Sequence, residues 1–241
     1  MLVKTEALVL HSLKIADQRM IVDMFTREQG RLSFVVHIPK TSRGRLKKQY
    51  FQPLTLLTVE ADMRQQQPLQ RMRDAMLLSP FTSLYTEPRK LSIALFVAEF
   101  LCHALRGEQQ NVSLFDYLRS SVQWLEGSES RYANFHLVFL LRLSRFLGFY
   151  PNLDDYHRGD LFDLREGRFT SQLPPHRDFL DATEASHMQT VMRMDFATMH
   201  LFRLSQSDRR RLLTVLMNYY RLHLPAFPEL HSLPVLYQLF E

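Results

Sequence analysis

Through the first eighty residues, apolar and polar side chains alternate with a period of two, the pattern of half-buried strands. Residues 5–13 (TEALVLHSL) form one β-rich run. Residues 18–26 form a second, with Met20, Val22 and Met24 on one face and Ile21, Asp23 and Phe25 on the other. Glu28, Gln29 and Gly30 supply a turn, where glycine accepts a positive φ. Residues 32–38 predict a third strand and residues 54–60, entered through Pro53, a fourth. Residues 69–76 predict a fifth. Short strands at even spacing, interrupted by one long basic loop at 39–48, point to a small β-barrel or sandwich.

Beyond Pro80 the period lengthens to that of a helix. Leu91, Ala94, Leu95, Ala98, Leu101, Cys102 and Leu105 recur at helical spacing after Pro88, whose fixed φ suits a first turn. Further helices are predicted from Ser113, with Asp116 as capping partner, to Leu125, and over residues 130–146, 183–194, 195–202, 207–224 and 232–240. Residues 151–175, rich in Asp, Gly and Pro, show no period and read as an irregular insertion reaching to about 180. The predicted class is α+β, with a barrel domain over 1–80 and a mostly helical domain over 81–241.

Composition narrows the function. Apolar residues make up 46% of the 241, enough to bury a real core. The most hydrophobic stretch, 135–149, is broken by Arg142, Ser144 and Arg145, so it reads as a buried helix and not a membrane span. The opening MLVKTEALVLHSLK lacks the order of a signal peptide, and the single Cys102 makes no internal disulfide. Both features predict a cytoplasmic protein. No phosphate-binding glycine loop, zinc-protease HExxH or nucleophile-elbow GxSxG is present. The expectation is a binding protein without a cofactor, not an enzyme.

Charge is more telling. Residues 1–80 hold 13 basic and 7 acidic side chains, a net of +6, whereas the whole chain carries +5. The excess points to a polyanion partner for the first third. No Asp or Glu occurs from Gln29 through Val59, a stretch containing Arg31, Lys40, Arg43, Arg45, Lys47 and Lys48. Cations of this kind neutralise phosphates without sequence preference, and exposed aromatic rings stack bases. Tyr50 is the better stacking candidate, since Phe34 and Phe51 also fit a core. Lys4, Lys14 and Arg19 either extend the groove or are ordinary strand-end charges, and the same alternatives hold for Arg64, Arg71 and Arg73.

The order of several sequence words resembles the RecO family. They include Thr5-Glu6-Ala7-Leu8-Val9-Leu10, then Ile21-Val22-Asp23-Met24-Phe25-Thr26 and Gly30. Pro39-Lys40-Thr41-Ser42-Arg43 and Phe51-Gln52-Pro53-Leu54 follow. Leu147-Gly148-Phe149-Tyr150-Pro151-Asn152-Leu153 and Ser232-Leu233-Pro234-Val235-Leu236 complete the set. The resemblance spans nearly the whole chain and is nearest to the Bacteroides-type branch. It implies an N-terminal OB-fold, a helical C-terminal domain and a bacterial, nucleoid-associated role in DNA repair by recombination. It further implies binding of single-stranded and duplex DNA, and annealing of complementary strands. The implied partners are RecR, the tail of the single-stranded-DNA-binding protein and, indirectly, the RecA recombinase. Many relatives have cysteine pairs holding zinc after the Gly148–Leu153 word. Here Asp154, Asp155, His157, Asp160 and Asp163 stand instead, so zinc is not carried over.

Two further constellations bear on function. Arg142 and Arg145, three apart on one helix beside an apolar face, are candidates for an acidic, apolar protein tail. The alternative is a pair of arginines serving structure or solvent. The Asp/His cluster at 154–163 is the one grouping that a metal-dependent nuclease would use, although it has no fixed ligand spacing. A protein-only interaction scaffold is the third alternative.

Overall fold

The computed structural model describes residues 1–39, 46–64, 67–154 and 156–239, with Leu239 described by its backbone only. Contacts within the chain divide it into two compact units, Met1–Gly127 joined by Leu230–Leu239, and Ser128–Glu229.

The first unit is built on a closed barrel of β1 (Leu2–Ala16), β2 (Arg19–Thr26), β3 (Gly30–His37), β4 (Leu56–Asp62) and β5 (Leu69–Leu77), in the order β1-β2-β3-β5-β4. All pairs are antiparallel except β3 with β5, a short parallel seam of three register pairs from Ser33↔Leu69 to Val35↔Arg71. Alternation sends Ala7, Val9, Met20, Val22, Met24, Phe34, Val36, Val59 and Met72 into the barrel core. Five runs predicted as strands are thus five strands, and the barrel is OB-like.

One side of the barrel is covered by helices. The outward residues Leu8, Leu10 and Phe25 are fully buried. α1 (Ser83–Thr86) and α2 (Pro88–Ala104) follow the barrel, and α2 lies on β1. Phe115 of α3 (Val112–Gly127) stacks on Phe25 with ring centroids 6.5 Å apart. α3 begins one residue ahead of Ser113, because the Asn111 side chain accepts from the Leu114 N–H. Gly30 needs to be glycine twice over. Its φ is +70°, and a Cβ there would sit 2.4 Å from the Gln109 backbone carbon.

The second unit holds α4 (Phe135–Phe146), strands β6 (Leu161–Asp163), β7 (Arg168–Thr170) and β8 (Phe179–Leu180), and helices α5 (Ala182–Met192) and α6 (Gln206–His223). α7 (Ser232–Leu239) belongs to the first unit, where Glu99 of α2 accepts from the backbone N–H groups of His231 and Ser232 at its start. Three expectations are corrected here. The helix predicted from residue 130 begins at Phe135, after Arg131 takes a φ of +67°. The segment expected to be irregular contains a three-stranded sheet in the order β7-β6-β8, whose strands of two or three residues are too short to display a period. The helix predicted over 195–202 is only a 3-10 turn at Met199–Leu201, because the Asp195 carboxylate accepts from the Thr198 N–H and hydroxyl and closes a local turn instead. Among the described residues no helix is long and apolar enough to cross a membrane.

Candidate nucleic-acid interface

Away from the helices, the barrel wall formed by β2, β3 and β5 faces outward with exposed side chains. Period-two alternation that buries Met20, Phe34, Val36, Gln70 and Met72 turns Arg19, Val35, His37, Arg71 and Arg73 to the other face. Register brings Arg19 beside His37, and Val35 beside Arg71. These side chains line an open cavity of about 1030 Å³, together with Pro39, Leu46, Arg64, Gln67, Leu69, Gln70 and Met72. Among the described residues the lining contains four arginines and no carboxylate. Pro39 and Leu46, the described residues on either side of 40–45, both belong to it.

One buried amide shapes the rim. Gln70, 5% exposed, points inward from β5 on the same face as Met72. Its Oε1 accepts from the Arg64 N–H at 2.8 Å, and its Nε2 donates to the carbonyls of Arg64 (3.1 Å) and Gln67 (2.8 Å). The β4–β5 connection is therefore pinned at both described ends, and Arg64 is held at the cavity mouth. Arg73 is the one lining arginine with an ion pair among the described residues. Asp62 accepts from its Nε at 2.6 Å. That hydrogen bond, with the guanidinium charge, holds the Asp62 carboxyl below its ordinary value and raises Arg73.

The residues expected to bind DNA separate into four groups. Lys47 and Lys48 are exposed at the start of a 3-10 turn, Lys48–Phe51. Tyr50 on the same turn is partly buried and packs against the barrel core, and Phe34 and Phe51 lie inside it. Lys40, Arg43 and Arg45 lie outside the described residues. Arg31 turns the other way: its guanidinium donates to the Cys102 carbonyl at the end of α2 and pairs with Asp23 at 3.4 Å, and its side chain is 18% exposed. It serves the seam between barrel and helix. The arginines at 19, 64, 71 and 73, left ambiguous by sequence, are those the fold gathers. The available signal was spacing, since Arg71 and Arg73 share a strand face with Leu69 while Gln70 breaks an otherwise apolar inward row.

In the second unit, Arg142 and Arg145 are not equivalent. Arg142 donates to the Met194 carbonyl at 3.1 Å, whereas Arg145 is exposed, its guanidinium 5.3 Å from the centre of the Tyr150 ring. The Asp/His cluster is dispersed. Asp160 accepts from the His157 N–H; Asp163 accepts from the Arg165 and Glu166 N–H groups and pairs with His176 at 3.3 Å; Asp154 is exposed. Among the described residues, which exclude Asp155, no three His, Cys, Asp or Glu side chains are placed to hold a metal ion. This segment is held instead by an aromatic cluster: the Phe162 ring meets Phe169 at 4.9 Å, and Phe169 meets Tyr156 at 4.8 Å.

The fold is an OB-like barrel followed by a helical region, and comparison with known proteins gives its kin. The family model described as Recombination protein O N terminal matches residues 1–81, and that described as Recombination protein O C terminal matches residues 85–234. The chain is 50% identical over 242 residues to the DNA repair protein RecO of Bacteroides fragilis and 48% identical over 240 residues to that of Phocaeicola vulgatus. It is 32% identical over 242 residues to that of Flavobacterium psychrophilum. Each comparison covers the full length of both chains. The chain belongs to the RecO family of DNA repair proteins.

Proposed function

We propose that the protein binds single-stranded DNA along the arginine-lined barrel groove, acting as a binding protein and not as an enzyme. In this reading it also accepts duplex DNA, anneals complementary strands and, with RecR, helps load RecA onto DNA coated by the single-stranded-DNA-binding protein, in the bacterial cytoplasm. The observation that carries the reading is the groove itself: four arginines line it on an OB-like barrel, and three of them, Arg19, Arg64 and Arg71, are exposed and make no ion pair among the described residues. The exposed Lys47 and Lys48 follow Leu46 of the groove lining and extend the same interface, and we propose that Lys40, Arg43 and Arg45 add their charge to DNA binding. For the acidic, apolar tail of the single-stranded-DNA-binding protein, Arg145 is our candidate contact, because its guanidinium is exposed beside an aromatic ring while Arg142 is engaged.

Titration of labelled single-stranded oligonucleotides across a salt series tests the proposal. Binding is expected to weaken linearly in log salt, by about 0.7 in slope per neutralised phosphate. Neutralising Arg43, Arg45, Lys47 and Lys48 together is expected to weaken it and flatten the slope. Absence of binding at low salt would leave the barrel as a surface for protein alone.

A further inference from the structure

We infer that the groove holds a strand by its phosphodiester backbone and leaves the bases unstacked by protein and turned outward. The inference rests on the functional reading above and specifies its mode of contact. Base stacking requires exposed flat rings, and proteins that bind single strands through OB-folds commonly supply aromatic ones. The first eighty residues contain four aromatic residues in all, Phe25, Phe34, Tyr50 and Phe51. Phe25 is buried beneath α3, Phe34 and Phe51 lie in the barrel core, and Tyr50 packs against that core. The sequence from 39 to 48 contains no aromatic residue. Among the described residues, therefore, no aromatic of the barrel lines the groove, and the single imidazole there is that of His37.

What the groove does present is guanidinium. Arg19, Arg64 and Arg71 make no ion pair among the described residues, and each is exposed. A guanidinium offers paired donors that match two oxygens of one phosphate, which an ammonium cannot do as a planar fork. Between the arginines, the wall is aliphatic, with Val35 and Leu69. A strand docked by its phosphates has its bases on the side away from the wall. That orientation suits annealing, because the pairing edges stay open to a second strand.

The test compares two fluorescein-labelled oligonucleotides of equal phosphate number, one of thymidine and one built wholly of abasic tetrahydrofuran units, on the full-length protein. The expected result is affinities within fivefold of each other and equal salt slopes, with His37→Ala changing thymidine binding less than twofold. Stacking on protein rings contributes about fivefold or more per base. A loss above fivefold on the abasic strand, or above fivefold in His37→Ala with thymidine, overturns the inference while DNA binding stands. Failure of both strands to bind at low salt overturns the functional reading and this inference with it.

Discussion

The two sides of the barrel use the same residue type for opposite ends. On the side facing the helices, arginines are matched to carboxylates and carbonyls. Arg27 meets Asp116 at 3.2 Å, Arg119 meets Glu6 at 3.0 Å, and Arg31 reaches the end of α2 and Asp23. On the groove side, Arg19, Arg64 and Arg71 line the open cavity and make no ion pair among the described residues, the Asp62 carboxylate across from Arg71 being held by Arg73. Partly buried charges require partners, because desolvation is otherwise unfavourable, so the paired side reads as assembly of the unit. Unmatched charges gathered on one wall add no stability to the fold. They repel one another, and a polyanion relieves that repulsion.

The contrast breaks most visibly in the triple variant Arg19→Ala/Arg64→Ala/Arg71→Ala. Removing three phosphate contacts is expected to weaken single-strand binding about a hundredfold at 0.1 M salt, with thermal stability unchanged or raised. Next in size is Gly30→Ala at the helix-covered side. A forced positive φ and a backbone clash against Gln109 are expected to cost at least about 1–3 kcal/mol in urea unfolding. Arg31→Ala is expected to lower stability by about 1–2 kcal/mol while DNA affinity per folded molecule stays within twofold. Gln70→Leu unpins the rim at Arg64 and Gln67, and a loss of about three- to tenfold in DNA affinity is expected from anisotropy titrations.

The smallest effect concerns acid. Burial alone would raise the Glu126 carboxyl, but N–H groups of Thr82, Leu84 and Ser83 and the Ser83 hydroxyl outweigh burial and hold it below its ordinary 4.5. A folded value below the unfolded one stabilises the fold above pH 4.5, and this contribution is lost as pH falls through the folded value. Glu126→Gln is therefore expected to be less stable at pH 7 and to show a shallower loss below pH 4.5 in urea unfolding.

Much of the barrel was legible in the sequence because period-two alternation is local. All five strands, and the glycine at the β2–β3 turn, follow from neighbours within ten residues. The helix starts were less so. Arg131 delays the start of α4 through a backbone conformation that its side chain does not announce, and Asp195 diverts a helical pattern into a turn. The strands of the small sheet over 161–180 are two or three residues long, and Phe162 packs near Tyr219, distant in sequence, so no local period marks it. For the candidate site, the charge excess of residues 1–80 was visible at once, but its placement was not. Arg31 and Arg71 look alike in the sequence. Only the barrel's closure against α2 on one side, and its open wall on the other, separates a structural arginine from one that faces solvent.

The most direct measurement is the salt slope of single-strand binding for the groove triple variant and for Arg31→Ala, side by side with the parent chain. The account predicts that the slope falls by about 2 in the triple variant and is unchanged in Arg31→Ala. Equal slopes in the parent and the triple variant, or a flattened slope in Arg31→Ala, would contradict the assignment of the open wall as the nucleic-acid face.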